Sequence, residues 1–328
     1  MKFMNIENST IPLSWAATTR KVPFANLGDA LSPILVSALS GLPCVHRSFD
    51  SKTERLACVG TIGHGFKNGI VHFWGTGLDA KKNPVDRTLK CYRRPPNTIF
   101  NVHALRGPYT ASILRNQNID VPEVYGDPVW FLPSIVKSQE DKKYELGVIV
   151  HISELTELTD TANTLEHLLR YKVPKYLDSS IKIISTITKP TFDDLEKKIQ
   201  EITSCKRIAS TSLHGLVIAE TYKIPCVYFQ TRGKGVDFTA LSGDESNKID
   251  HRMRDFYSSV NLKKLFTYGQ ELNQETNWEE LIKAIDTHWK PINWSGENFL
   301  EAFPLPLKFN PLNQEIFKNR ELFNQIKL

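Results

Sequence analysis

No apolar run in this chain approaches the roughly 20 residues that a membrane span requires. Its amino terminus lacks the basic-then-apolar pattern of a secretory signal. Cysteine is sparse: Cys44, Cys58, Cys91, Cys205 and Cys226 are scattered, odd in number and never spaced Cys-x-x-Cys. That arrangement argues against a disulfide frame or a zinc site, and it fits a reducing, cytoplasmic compartment; no metal-binding residues are expected. There is no low-complexity tract and no short internal repeat, which excludes a solenoid. No basic stripe interleaved with aromatics occurs, so nucleic acid is not expected as a partner. A complete Gly-x-Gly-x-x-Gly and a P-loop Lys-Ser/Thr are both missing, which leaves no signature for a nucleotide cofactor.

What is present is a globular composition, 41% apolar and 23% charged, in a chain of 328 residues. That length exceeds one ordinary core and predicts two domains. The formal charge of +5 suits an anionic substrate or an acidic membrane surface, although many unrelated enzymes share it.

Apolar runs ending in Gly, Asp or Pro turns recur up to about residue 136. Examples are 56–60 before Thr61-Ile-Gly-His-Gly65, 70–74 before Gly75-Thr-Gly77, and 98–105 before Arg106-Gly-Pro108. Strand, glycine turn and helix in alternation predict mostly parallel sheets covered on both faces. The polar stretch 137–144 is the expected linker. A second alternating set follows it: strands at 146–150, 181–186 and 207–210, and helices at 160–171, 191–202 and from Asn277. Residues 312–328 read as a helix packing back on the first half. The reading is an α/β protein of two Rossmann-like domains facing a central cleft. Its parts are 1–140 on the acceptor side, 141–310 on the donor side and a returning 311–328.

The richest stretch is Arg207-Ile-Ala-Ser-Thr-Ser-Leu-His-Gly215, followed by Pro225 and another strand. It places Ser210, Thr211, Ser212 and His214 where a strand hands over to a helix, and there free N–H groups and the helix dipole favour an anion. The carboxyl ends of strands are also where ligands bind in open α/β sheets. His214 is the side chain in that turn suited to moving protons near neutral pH. The plainer alternative is a buried histidine bonded to the turn's own carbonyls, with hydroxyls as caps.

Asn26-Leu-Gly-Asp29 precedes an apolar helix, so Asp29 is either a cap or a cleft carboxylate able to orient or deprotonate a hydroxyl. Arg106 sits beside a helix started by Pro108, a forked cation near a helix amino terminus, or else a surface ion pair. His151 ends a strand and faces either the cleft or a core. Arg232 and Lys234 lie in a loop after the strand 226–229, as ligand caps or as solvated cations. Gly126-Asp-Pro128 is most simply a turn, with Asp127 either part of that turn alone or reaching into the crevice. Gly75-Thr76-Gly77 allows close backbone approach.

In order along the chain stand Asn26-Leu-Gly-Asp29, Gly75-Thr-Gly77, Arg106-Gly-Pro108, Tyr125-Gly-Asp-Pro128, Val150-His151, Ser210-Thr-Ser-Leu-His-Gly215 with Ile224-Pro225, and Arg254-Asp-Phe-Tyr257. The series resembles the polysaccharide pyruvyl transferases, in particular the exopolysaccharide ketal-pyruvate type, over nearly the whole length. Val150 departs from it, since the family often has proline before the histidine.

The resemblance implies a GT-B-like fold, phosphoenolpyruvate as co-substrate with no further cofactor, and a pyruvate ketal bridging two hydroxyls of one sugar. It also implies a lipid-linked oligosaccharide acceptor met at the inner face of the membrane. His214 and Arg106 are then expected to contact the donor, with Ser210, Thr211, Ser212, Leu213, Gly215, Arg232 and Lys234 around it. Asn26, Gly28, Gly75, Thr76, Gly77, Asp127 and His151 are expected on the acceptor side, with Asp29 as the base. The alternatives are a nucleotide-sugar glycosyltransferase of the same plan, with Glu220 against a ribose, and a non-catalytic glycan-binding subunit.

Overall fold

The computed structural model describes residue 6 and residues 9–243 and 248–328. It is an α/β protein with two mainly parallel sheets, consistent with two Rossmann-like domains. In the first half, β1 (Ile11–Ser14), β3 (Cys44–His46), β4 (Arg55–Ala57), β5 (Gly69–Thr76) and β6 (Thr98–Leu105) form a parallel sheet in the order β3-β1-β4-β5-β6. The second sheet comprises β7 (Leu146–Val150), β8 (Ile181–Ser185), β10 (Ile208–Ser210), β11 (Cys226–Gln230), β12 (Gly235–Ala240) and β13 (Lys264–Gly269). Its order is β12-β13-β11-β10-β7-β8, and β12 alone runs antiparallel.

A two-residue antiparallel pair of β2 (Ala25–Asn26) with β9 (Ile187–Thr188) crosses between the halves. Leu27 N–H adds a bond to Thr186 O at 2.7 Å. This clamp ties the start of α1 (Leu27–Ser40) to the second sheet. Asn26, not Asp29, caps α1, accepting from Gly28 N–H. Every residue of α1 is buried except Asp29. Its serines survive burial by bonding inward, Ser32 Oγ accepting from Val59 N–H and Ser40 Oγ donating to Val36 O. Pro33 has no N–H to give the Asp29 carbonyl, so that turn of α1 stays open on the side where Asp29 lies.

The other helices are α2 (Pro108–Arg115), α3 (Phe192–Thr203), α4 (Leu213–Thr221), α5 (His251–Ser259), α6 (Trp278–His288), α7 (Glu297–Glu301) and α8 (Glu321–Asn324). The largest core joins α1, α3, α4, α5 and the 3-10 turn Pro128–Ser134, so one apolar layer continues across both halves. The return to the first half starts upstream of the expected residue 311. Phe299 of α7 stacks on Trp74 at 4.7 Å, and Trp74 Nε1 donates to Phe299 O. Further on, Lys308 N–H bonds Leu39 O, Phe317 N–H bonds Ser134 O, and Phe323 meets Phe192 of α3.

Two expected helices are absent. Residues 160–171 carry only a 3-10 turn, Leu169–Tyr171. There Arg170 is buried with its guanidinium 3.9 Å from the Phe229 ring, donating to Phe229 O and Gln230 O. The Thr-, Asn- and Asp-rich start of that segment favours caps and turns over a helix interior. Residues 312–328 are mostly irregular, with α8 spanning only Glu321–Asn324. Phe317 packs on Phe309 and on Phe323, and Phe323 on Phe192; positions six apart point about 120° away from each other on a continuous helix, which would not bring these two rings together.

Candidate active site

Three helix amino termini converge on one cleft of about 510 Å³. α1 brings Asn26 and Asp29, α4 brings Ser212 to His214, and α5 brings Asp250 to Arg252. The carboxyl ends of β4, β7 and β8 supply Gly60–Ile62, His151–Ile152 and Thr186. Parallel strands and their following helices meet a ligand in this way because each crossover leaves polarised N–H groups above the sheet edge.

His214 is the second residue of α4. Ser212 occupies the cap position without a side-chain cap bond, and its N–H is taken by Ser210 Oγ at 3.0 Å. Ser210 Oγ also donates back to Ser212 O, which stiffens the turn. Gly215 keeps that turn tight, since a Cβ there would fall 2.4 Å from Ser210 Oγ. Thr211 Oγ1 accepts from His151 N–H and donates to Glu154. Ser210 and Thr211 thus build the turn, while Ser212, Leu213 and His214 line the opening.

The His214 Nε2 atom is 3.7 Å from Oδ2 of fully buried Asp127, and neither atom has a hydrogen-bond partner. Asp127 Oδ1 is already fixed, accepting from Val129 N–H as cap of the turn after it. Asp127 therefore lies behind the imidazole rather than in the cleft.

Asp29 faces the opening from α1. Burial raises its carboxyl pKa to about 6, and the His214 and Arg252 charges pull it down only in part. Gly60, at φ +108°, makes room for it: a Cβ there would lie 2.5 Å from Asp29 Oδ1.

The guanidinium on the cleft wall is that of Arg252, which sequence reasoning missed. Asp250 accepts from its Nε and Nη2 at 3.0 and 2.7 Å, and Nη1 donates to His151 Nε2 at 2.9 Å. Each terminal nitrogen keeps a hydrogen to spare. Burial alone would raise Asp250, but the Arg252 hydrogen bonds and charge hold it well below the usual carboxylate range. Burial, then Arg252, lowers the His151 pKa. Nδ1 accepts from Ser153 N–H at 3.3 Å and lies 2.7 Å from Ser153 Oγ, so His151 also caps the turn that follows it. Both ring nitrogens of His151 are engaged, so it holds Arg252 in place.

Arg106 is fully buried and does not line the cleft. Its Nε donates to Asp255 Oδ2 at 3.2 Å and its Nη1 to Thr61 Oγ1 at 2.6 Å. Asp255 also accepts from the Thr110 N–H and hydroxyl. Gly77 and Gly107 exist to admit this joint, since a Cβ at Gly77 would fall 2.3 Å from Arg106 Cζ and one at Gly107 2.0 Å from Asp255 O. The Arg-Gly-Pro motif thus docks α2 of the first half on α5 of the second, and reaches the cleft through Thr61.

Of the remaining expected residues, Asn26 lines the cleft. Gly28 abuts the His214 ring, Gly75 abuts Pro128, and Thr76 donates to Cys58 O in the core. Arg232 and Lys234 are exposed, and Arg232 borders a separate crevice that shares only Asp250 with the cleft. Thr61, His64, Asp79, Lys82, Asp250 and His251 line the cleft unforeseen. The signal for the α5 group was legible: Asp250 two residues before Arg252 is a capped helix start.

The polysaccharide pyruvyl transferase family model matches residues 63–232, and the chain belongs to that family. An uncharacterized protein of Acanthamoeba polyphaga mimivirus is 25% identical over 263 residues, covering 79% of this chain and 76% of that one. No solved structure matches. The family match includes His64, Asp127 and His214, whereas Asp29 and Arg252 fall outside it. Among the described residues no helix is long and apolar enough to cross a membrane.

Proposed function

We propose that the chain moves the pyruvyl group of phosphoenolpyruvate onto two hydroxyls of one sugar residue, forming a cyclic ketal and releasing inorganic phosphate. The observation that carries this reading is the convergence of three helix amino termini and Arg252 on a cleft that also holds His214 and a carboxylate of raised pKa, Asp29.

Phosphoenolpyruvate presents two anionic groups and a carbon that becomes electrophilic once its methylene is protonated. The α4 amides, Ser212 and Arg252 suit the anions. His214, with Asp127 behind it, supplies the proton that turns the methylene into a methyl group. The first sugar oxygen then bonds to C2 and its proton passes to Asp29. The C2–O bond to phosphate breaks with its electron pair on phosphate, and the second sugar oxygen closes the ketal by bonding to C2 as its proton passes to the departing phosphate. Methyl formation, two C–O bonds made and one broken leave one phosphate per ketal.

The glycosyltransferase alternative needs an acid against a ribose. Glu220 does not meet that need, because its oxygens accept from buried Tyr257 and from Trp289 at the far end of α4. Mass spectrometry of products from phosphoenolpyruvate and short glycans tests the reading. A gain of one pyruvate less one water, with matching phosphate release, is expected. Transfer of a hexose from a nucleotide sugar, and none from phosphoenolpyruvate, would sink it.

A further inference from the structure

The cleft is not the largest opening in this molecule. A groove of about 660 Å³ adjoins it, and the two share His64 and Lys82 in their walls. Lys67, Lys81, Lys82, Arg87 and Lys90 surround the groove, against a single lining carboxylate, Asp50. All five basic side chains are exposed, and among the described residues none of them makes an ion pair. Four of the five come from the long connection between β5 and β6, which contains no helix or strand.

That connection is nonetheless built. Tyr92 N–H bonds Ala80 O, Asn83 Oδ1 accepts from Val85 and Asp86 N–H, and Asn83 Nδ2 donates to Cys91 O. The Tyr92 side chain is buried beneath it. A long, ordered loop without secondary structure is typically a binding element. Like charges gathered on one wall repel one another, and an anion among them relieves that repulsion. Phe49 adds a half-buried ring to the same wall, set edge-on against Phe66 at 5.2 Å, which suits the apolar face of a sugar. Burial and then Lys82 lower the His64 pKa to about 4, so His64 is an uncharged hydrogen-bonding group at the junction of the two openings.

We propose that this groove binds a phosphate or diphosphate group carried by the acceptor, while the sugar that receives the ketal extends past His64 and Lys82 into the cleft. The identity of the acceptor rests on the ketal-transfer reading above, but phosphate binding does not. Lysines hold phosphate as point charges, so affinity falls as salt rises.

The test compares the full chain with a Lys81→Gln/Arg87→Gln/Lys90→Gln variant. These three side chains are exposed and lie off the cleft lining, so folding and phosphoenolpyruvate binding are expected to survive. Calorimetric titration with inorganic pyrophosphate, run in saturating phosphoenolpyruvate, should show salt-sensitive binding that the variant loses by roughly tenfold or more. Equal binding by both proteins, or by neither, overturns the proposal.

In steady state, a sugar 1-phosphate acceptor should show a raised KM in the variant, while the free sugar and phosphoenolpyruvate keep theirs. A raised phosphoenolpyruvate KM alone would instead assign the groove to the donor. Vesicles containing phosphatidylglycerol separate the sources: sedimentation with them that pyrophosphate abolishes marks a lipid-borne phosphate, and its absence beside pyrophosphate binding marks a soluble one. A wild-type chain that binds pyrophosphate in the groove but forms no ketal would remove the transferase reading and leave this site standing.

Discussion

The His214 ring rests on Gly28: a Cβ at Gly28 would lie 1.9 Å from His214 Nδ1 and 2.5 Å from Cε1. The first turn of α1 thus forms the seat for the side chain on α4, and the β2–β9 clamp sets the distance between them. Gly28→Ala is expected to displace the imidazole without unfolding a buried helix in which alanine is otherwise favoured. Ketal formation should fall about 10²-fold, the cost of an ångström-scale misplacement. Rates measured beside circular dichroism check this, and full activity in a folded variant would detach Gly28 from the site.

His214→Ala should lower turnover by about 10²–10⁴-fold with the fold intact. Asp127→Asn is the sharper variant. The amide oxygen still accepts from Val129 N–H, so the turn keeps its cap while the charge facing His214 disappears. A kcat loss of roughly 10–10³-fold at unchanged phosphoenolpyruvate KM, with an altered pH profile, is expected. A purely structural Asp127 would leave that profile where it was.

Asp29 sets opposite pH trends for activity and stability. As a base it must be ionised, so kcat/KM should drop as pH falls through about 6. Folding raises its pKa from the ordinary aspartate value of 3.8, so the native state prefers the protonated form. Its stabilising contribution is complete below the unfolded value and is lost as pH rises through about 6. Asp29→Asn should therefore abolish activity yet stabilise the protein at neutral pH by about 1–2 kcal/mol, the water near a half-buried carboxylate reducing the full linkage effect. Urea titration at two pH values checks the sign.

Arg106 and Asp255 are both completely buried, and each belongs to a different half. Arg106→Ala leaves Asp255 unpaired and should destabilise the chain by about 3–5 kcal/mol. The double variant with Asp255→Ala should lose far less than the two single losses combined. Additive losses in thermal or urea unfolding would mean the pair is not coupled.

The strand–turn–helix alternation, the Asn26 to Asp29 helix start and the position of His214 at the mouth of α4 were all legible, because each depends on neighbours within a few residues. The helices expected at 160–171 and 312–328 were not correctly legible. In the first, Arg170 answers to the carbonyls of Phe229 and Gln230; in the second, Phe317 and Phe323 pack on each other and on Phe309 and Phe192. The burial of Arg106 away from the cleft was not legible for the same reason, since its buried partner Asp255 lies far along the chain.

From the one-dimensional text came the family, the paired parallel sheets and the catalytic candidates His214 and Asp29, for local pattern and residue chemistry suffice to specify them. Only the tertiary arrangement put the Arg252 guanidinium, and not that of Arg106, on the cleft wall and set Asp127 behind the imidazole. It also ran the β5–β6 lysines alongside the cleft. Burial and charge pairing between segments distant in sequence decide such matters, and they exist only once the two halves have closed on each other.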